Sequence, residues 1–192
     1  MTGEIIKILG KSLEREKKGI VIMMELPTES YFHVNLTSIK YLTSKGFEGI
    51  YISFQRPFKN VSSLFSRQGI DMNKILFIDV ASALSGEREE ENPRCIHISQ
   101  TIDIDELVRA IYTSLPRLKS RKRFIFIDSL TTITLYKPLS EIMRFSEFLI
   151  RTVKKSEKEN TILIFNVVKD LAQKKFIRDI ALRVDEVISV AK

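Results

Sequence analysis

Tryptophan is absent from the 192-residue sequence, and cysteine occurs once, at Cys95. A single thiol excludes an internal disulfide and fits a reducing, cytoplasmic compartment. No apolar run approaches the roughly 18 residues that cross a bilayer, so no membrane partner is expected. The opening stretch MTGEIIKILGKSLEREKK carries Glu4 and lacks a small-residue cleavage site, which argues against a secretory signal. Histidine occurs twice, at His33 and His97, far apart and without the paired spacing of metal ligands, so no metal site is expected. No Gly-x-Ser-x-Gly elbow is present to carry a serine nucleophile. Nor is there an internal repeat or a linker-like stretch, which leaves residues 1–192 as one domain.

What the sequence does have is a core and a positive charge. Apolar residues make up 44%, charged residues 29%, and the net charge is +7, a globular composition rather than a disordered one. A basic balance points to nucleic acid or an anionic surface, or else to a scattered solubilising surface. The one dense basic run is RLKSRKR at 117–123, with Arg117, Lys119, Arg121, Lys122 and Arg123. These residues are candidates for nucleic-acid phosphate contacts. The competing reading is a solvated loop that leads into a strand. No aromatic residue is interleaved with them, so base stacking is unsupported.

Hydrophobic periodicity predicts an amphipathic helix over 3–18, with Ile5, Ile6, Leu9 and Leu13 at helical spacing. Short apolar runs then alternate with helical patterns. Strands are predicted at 20–26, 49–54, 74–80, 123–127, 161–167 and 186–190, with a further short one at 95–98. Helices are predicted at 30–45, 57–67, 104–118 and 138–157. The first of these places Phe32, Leu36, Ile39 and Leu42 on one side, and Asp103 is the expected N-cap of the third. Residues 81–99, which include GEREEENPR, are expected to form a surface excursion. This alternation implies right-handed βαβ crossovers and an α/β fold: a three-layer αβα sandwich on a mainly parallel sheet.

In such sheets ligands gather at the carboxyl ends of the strands. Those ends are Glu25–Ser30, the FQRP of 54–57, Asp79, Asp128–Ser129 and Asn166. The RFIFIDSLTTI of 123–133 is an apolar strand ending in a carboxylate, as needed to hold the water shell of Mg²⁺ beside a nucleotide. Capping of the next turn is the plainer role for Asp128.

Taken in order, GIVIMMELPTES, KGFEGIYISFQRP, GIDMNKILFIDVAS, RFIFIDSLTTITLY, ENTILIFNVVKD and RVDEVISV resemble the RecA-like P-loop ATPases, and among them the KaiC-like and archaeal RadA-paralogue branch. The resemblance covers about residues 15–192. It implies a P-loop NTPase fold with a phosphate loop after the first strand, a Walker B carboxylate at Asp128 with Ser129 beside it, and a γ-phosphate-sensing position near Asn166. In that family the region matching 173–183, with Lys174, Lys175, Arg178 and Arg183, faces a neighbouring subunit and can supply an arginine finger. An ordinary basic surface is the alternative.

The departures concern chemistry. A phosphate loop needs glycines whose neighbouring N–H groups close on phosphate, then Lys and Ser/Thr. Between Met24 and Val34 there is neither Gly nor Lys. Glu25, Pro27, Thr28, Glu29, Ser30 and Tyr31 occupy the place instead. The two carboxylates would face a triphosphate, Pro27 has no N–H to donate, and Thr28 and Ser30 are read as helix caps. At the second strand, Gln55 and Arg56 stand where relatives carry an acidic general base, and Gln cannot accept a proton from water at neutral pH. The expectation is a degenerate Walker A and a catalytically inactive homologue without ATP or Mg²⁺ as cofactor. It would act as a regulator or scaffold through a protein partner or a homo-oligomer. The alternatives are a nucleic-acid-binding relative of the recombinase paralogues and a weak ATP binder with an atypical loop.

Overall fold

Among the described residues, seven strands, all paired in parallel, run through the middle of the molecule in the order β4-β3-β2-β5-β6-β1-β7. The computed structural model describes residues 2–14, 19–86, 91–156, 159–170 and 174–190. The strands are β1 (Ile20–Leu26), β2 (Glu48–Ser53), β3 (Ile75–Asp79), β4 (Cys95–His97), β5 (Lys122–Ile127), β6 (Asn160–Val168) and β7 (Glu186–Ser189). The helices are α1 (Thr2–Glu14), α2 (Tyr31–Ser44), α3 (Phe58–Arg67), α4 (Ala81–Ser85), α5 (Ile104–Ser114), α6 (Leu130–Ile133), α7 (Leu139–Lys155) and α8 (Lys174–Ala181).

The central strands are apolar on both faces because both faces are covered. Alternate residues of β1 go to opposite sides: Val21 and Met23 join one core, while Ile20, Ile22 and Met24 join the other. Helices α1, α2 and α3 close the second core through Ile5, Leu9, Ile39, Leu42, Val61 and Phe65. Helices α5, α7 and α8 close the first through Leu107, Ile111, Ile142, Phe145, Phe176 and Ile180. The result is the three-layer αβα arrangement predicted from the sequence. Among the described residues, no helix is long and apolar enough to cross a membrane.

Two glycines are required by close approach. Gly19 opens β1 at φ +72°, and a Cβ there would lie 2.4 Å from the Val153 carbonyl oxygen. Gly49 in β2 lies against Phe124, whose ring a Cβ would meet at 2.3 Å. Neither position accepts a side chain without displacing a neighbour.

Three expectations are corrected, and one lies partly outside the described residues. The excursion over 81–99 opens with a five-residue helix, α4, ahead of the expected short strand, β4; residues 87–90 lie outside the described set. The first helix is described to Glu14, and 15–18 are likewise outside. Helix α5 ends at Ser114 and passes into a 3₁₀ turn, Leu115–Arg117, that carries Pro116. On α2 the buried face is Tyr31, Val34, Asn35, Ser38, Ile39 and Leu42, while Phe32 and Leu36 are only half-buried. Asp103 caps α5 as expected, its carboxylate accepting from the Asp105 N–H at 2.9 Å.

Candidate functional site

The chain leaves β1 through Pro27, whose extended backbone (φ −71°, ψ 149°) leads into a 3₁₀ turn, Thr28–Ser30. Thr28 and Glu29 are exposed, Glu25 is half-buried, and Ser30 is buried. Neither Thr28 nor Ser30 caps α2 with its side chain, contrary to expectation. Ser30 directs both its N–H (3.2 Å) and its hydroxyl (3.3 Å) back to the Pro27 carbonyl. With its donors turned onto that carbonyl, Ser30 has none pointing outward for an anion.

Tyr31, the first residue of α2, enters the protein at 4% exposure. Its hydroxyl is sealed from solvent and makes no hydrogen bond of good geometry among the described residues, with Ser129 and Asn35 as its nearest polar contacts and Asp128 and Tyr51 close by. Burial, followed by the charge of Asp128, raises its pKa well above the ordinary phenol value.

Asp128 follows β5 and is 2% exposed. One oxygen accepts from the Phe54 N–H at 2.8 Å; the other faces the hydroxyls of Tyr51 and Ser53, each at 3.4 Å. Burial raises its pKa from 3.8 to about 7, against the lowering effects of the Phe54 and Gln55 N–H groups and the Ser53 and Tyr51 hydroxyls. Tyr51 is held by aromatic packing, stacked on Phe126 at 5.4 Å and edge-on to Phe65 at 5.2 Å. Ser129 caps α6, accepting from the Thr132 N–H at 3.1 Å and its hydroxyl at 2.7 Å. Asn166 is fully buried on β6 and donates its amide to the Asn35 side-chain oxygen. The remaining amide atoms, Asn35 Nδ2 and Asn166 Oδ1, have no hydrogen-bond partner among the described residues.

Tyr31, Asp128, Ser129 and Asn166 are therefore gathered into one buried polar cluster. Gln55 and Arg56 stay on its exposed rim. Gln55 reaches Thr132 Oγ1 at 3.4 Å, and the Arg56 guanidinium lies over the Phe32 ring at 4.3 Å. Sequence reasoning missed Asn35, Tyr51 and Ser53. Asn35 lies one helical turn after Tyr31, and that spacing was the available signal.

No protein-family model matches the chain, and no curated protein matches it. Solved structures do. The uncharacterised protein PH0321 of Pyrococcus horikoshii, crystallised with an unknown peptide, is 14% identical at a TM-score of 0.69, covering 98% of this chain and 82% of that one. The flagellar accessory protein FlaH of Methanocaldococcus jannaschii is also 14% identical, with a TM-score of 0.58, over 95% of this chain and 76% of its own. The KaiC-like protein PH0186 of Pyrococcus horikoshii gives 14%, 0.56, 90% and 71%. The fold is RecA-like.

In this RecA-like sheet, β6 lies between β1 and β5, so the turn after β1 and Asp128 flank a single strand end. Tyr31 spans that gap. The basic run lies at the opposite, amino-terminal end of β5 and folds onto its own surroundings. Arg123 donates to the Ser120 (2.9 Å) and Leu118 (3.1 Å) carbonyls and pairs with Glu159 at 3.4 Å. Arg117 donates to the Pro93 carbonyl, and Lys122 lies 5.8 Å above the Phe47 ring. The backbone N–H of Lys119 donates to Glu48 at 2.7 Å. In the tail, Arg183 pairs with Glu147 at 3.1 Å, Lys175 and Arg178 are exposed, and the Lys174 side chain lies outside the described set.

A second polar cluster appears where none was expected. His97 and Cys95, on β4, stand beside Asp79 at the end of β3, with donor atoms of all three within 4.8 Å of one another.

Proposed function

We propose that this RecA-like chain does not turn over ATP and acts as a regulator or scaffold through protein–protein contacts, with a second copy or with another chain. The observation that carries this reading is Tyr31. A phosphate loop presents N–H groups and a lysine to an anion. Here the same junction offers a carbonyl-directed serine and a buried aromatic ring. Asp128, the match to the Walker B carboxylate, is buried behind that ring with its oxygens turned to Phe54, Tyr51 and Ser53. A carboxylate raised to about pH 7 is only partly ionised at neutrality, which weakens it as a partner for hydrated Mg²⁺. Gln55 supplies no base. ATP and Mg²⁺ are accordingly not proposed as ligands.

Two further observations support contact with protein. Leu135 and Tyr136, in the turn after α6, are 75% and 52% exposed, a pair of large side chains open to a partner. PH0321, of similar fold, was crystallised with a peptide. A cytoplasmic location fits the single cysteine. The nucleic-acid reading is not preferred, since Arg117, Lys122 and Arg123 already have partners within the chain.

Calorimetry with Mg·ATP tests the proposal. No binding tighter than about 10 µM, equivalent to about −7 kcal/mol, and no steady phosphate release are expected. Tighter binding with turnover would overturn it.

A further inference from the structure

The cluster at the β3–β4 edge has no part in the proposed function. It lies on the far side of β2 from β5, linked to the blocked nucleotide position through Ser53, the register partner of Asp79. Cys95 and His97 are two residues apart on β4, so their side chains leave the same face of the strand. Asp79 is the register partner of His97 and lies on that face too. Three donor types meet there: a thiol, an imidazole and a carboxylate, with His97 Nδ1 3.5 Å from Asp79 Oδ2.

We infer that Asp79, Cys95 and His97 bind a transition-metal dication of the zinc type, with a fourth position open to water. The donor set is decisive for the class. Sulfur and nitrogen together select Zn²⁺ and its neighbours, whereas Mg²⁺ and Ca²⁺ require oxygen cages. Spacing agrees with this. A tetrahedral zinc with bonds of about 2.0–2.3 Å holds its donors roughly 3.3–3.7 Å apart. The His97–Asp79 separation already has that value, and the 4.8 Å bound on the set is closed by side-chain rotation. Asp79 is also held from behind. Its Oδ1 accepts from the Ser82 N–H at 2.9 Å, and its Oδ2 accepts from Phe58 N–H at 2.8 Å and Ser82 hydroxyl at 2.5 Å. Oδ2 is the oxygen that faces His97 and would take the metal as the Ser82 hydroxyl rotates off it, while the Phe58 and Ser82 N–H groups fix the carboxylate plane, the usual support of a ligating carboxylate. Side-chain exposures of 1% for Asp79 and 14% for His97 describe a site that is mostly dry yet reachable.

Binding takes Cys95 as thiolate and His97 as neutral imidazole, so the thiol proton passes to solvent and affinity falls in acid. The bound ion would pin β4, a three-residue edge strand, to β3.

Co²⁺ is the probe, used on the full chain without added histidines, stripped by chelator and kept reduced. One equivalent is expected to produce the visible bands of four-coordinate cobalt together with a near-ultraviolet thiolate-to-cobalt band, and Zn²⁺ is expected to bleach both. Cys95 is the only cysteine, so the thiolate band reports that residue alone. Cys95→Ser is expected to abolish it, and His97→Ala to lower Co²⁺ affinity at least tenfold, with far-ultraviolet circular dichroism unchanged. A reduced, folded wild-type chain that shows no thiolate band at one equivalent overturns the inference, as does unchanged affinity in folded His97→Ala.

Discussion

Asp79 and Asp128 end strands on either side of β2, and both are buried, yet the protein treats them differently. Asp79 is surrounded by the starts of two helices. Donors from α3 and α4 reach it at 2.8, 2.9 and 2.5 Å, so its oxygens are met by local backbone and hydroxyl groups. Asp128 receives one short backbone bond and two hydroxyls at 3.4 Å, and burial pushes its pKa to about 7. A buried carboxylate is accommodated when chain turns aim N–H groups at it. Where they do not, it tends toward the neutral form.

The strongest way to break this contrast is Asp79→Ala. Three buried or partly buried donors lose their acceptor, at about 1–3 kcal/mol each. A loss of about 5 kcal/mol is expected in urea unfolding, comparable with the whole stability of a small domain. A loss below about 2 kcal/mol would show that the three bonds do not act as a set.

Next comes pH. Asp128 has a folded pKa above its unfolded value, 3.8 rising to about 7, so the native state holds the proton more tightly. Its contribution is complete below about pH 4, is lost as pH rises toward about 7, and stays lost above; the span is about 4 kcal/mol. Asp128→Asn should remove that decline, and the difference between wild type and variant isolates it. Parallel pH profiles would refute the assignment.

A single hydroxyl on each side sharpens the comparison further. Ser82→Ala deletes a short bond to a buried carboxylate and is expected to lower stability by about 2 kcal/mol. Tyr31→Phe deletes a buried hydroxyl that makes no hydrogen bond of good geometry among the described residues, and a change within about 0.5 kcal/mol, or a slight gain, is expected. Thermal or urea midpoints of the pair measure the asymmetry directly. Equal losses would mean that the Tyr31 hydroxyl is bonded after all.

The strands were legible because their chemistry is repetitive. Ile20–Leu26 was located to the residue, and β2, β3, β5, β6 and β7 to within one residue at either end. Helix α8 was missed. It is eight residues long, with buried Phe176 and Ile180 one turn apart, too little periodicity to separate it from the strand that follows. The site was half legible. Strand ends gave Asp128, Ser129 and Asn166. Asn35 and Ser38 defeat a hydrophobic-period reading because they are polar residues on the buried face of α2. Phe32 misleads in the opposite sense, because Arg56 rather than the core covers it. The Asp79, Cys95 and His97 cluster was invisible to spacing rules, since parallel pairing of β3 with β4 brings it together.

Strand order also sets a timetable. Strand β1 pairs only with β6 and β7, Ile20 meeting Ile162 and Ile22 meeting Glu186. A ribosome releases β1 before β2 to β5, and its partners only after them. Until β6 emerges this greasy strand has no neighbour within the sheet, and such long-range pairing slows its closure. The nascent chain should thus depend on chaperones that shield β1, more than on any feature of the finished surface.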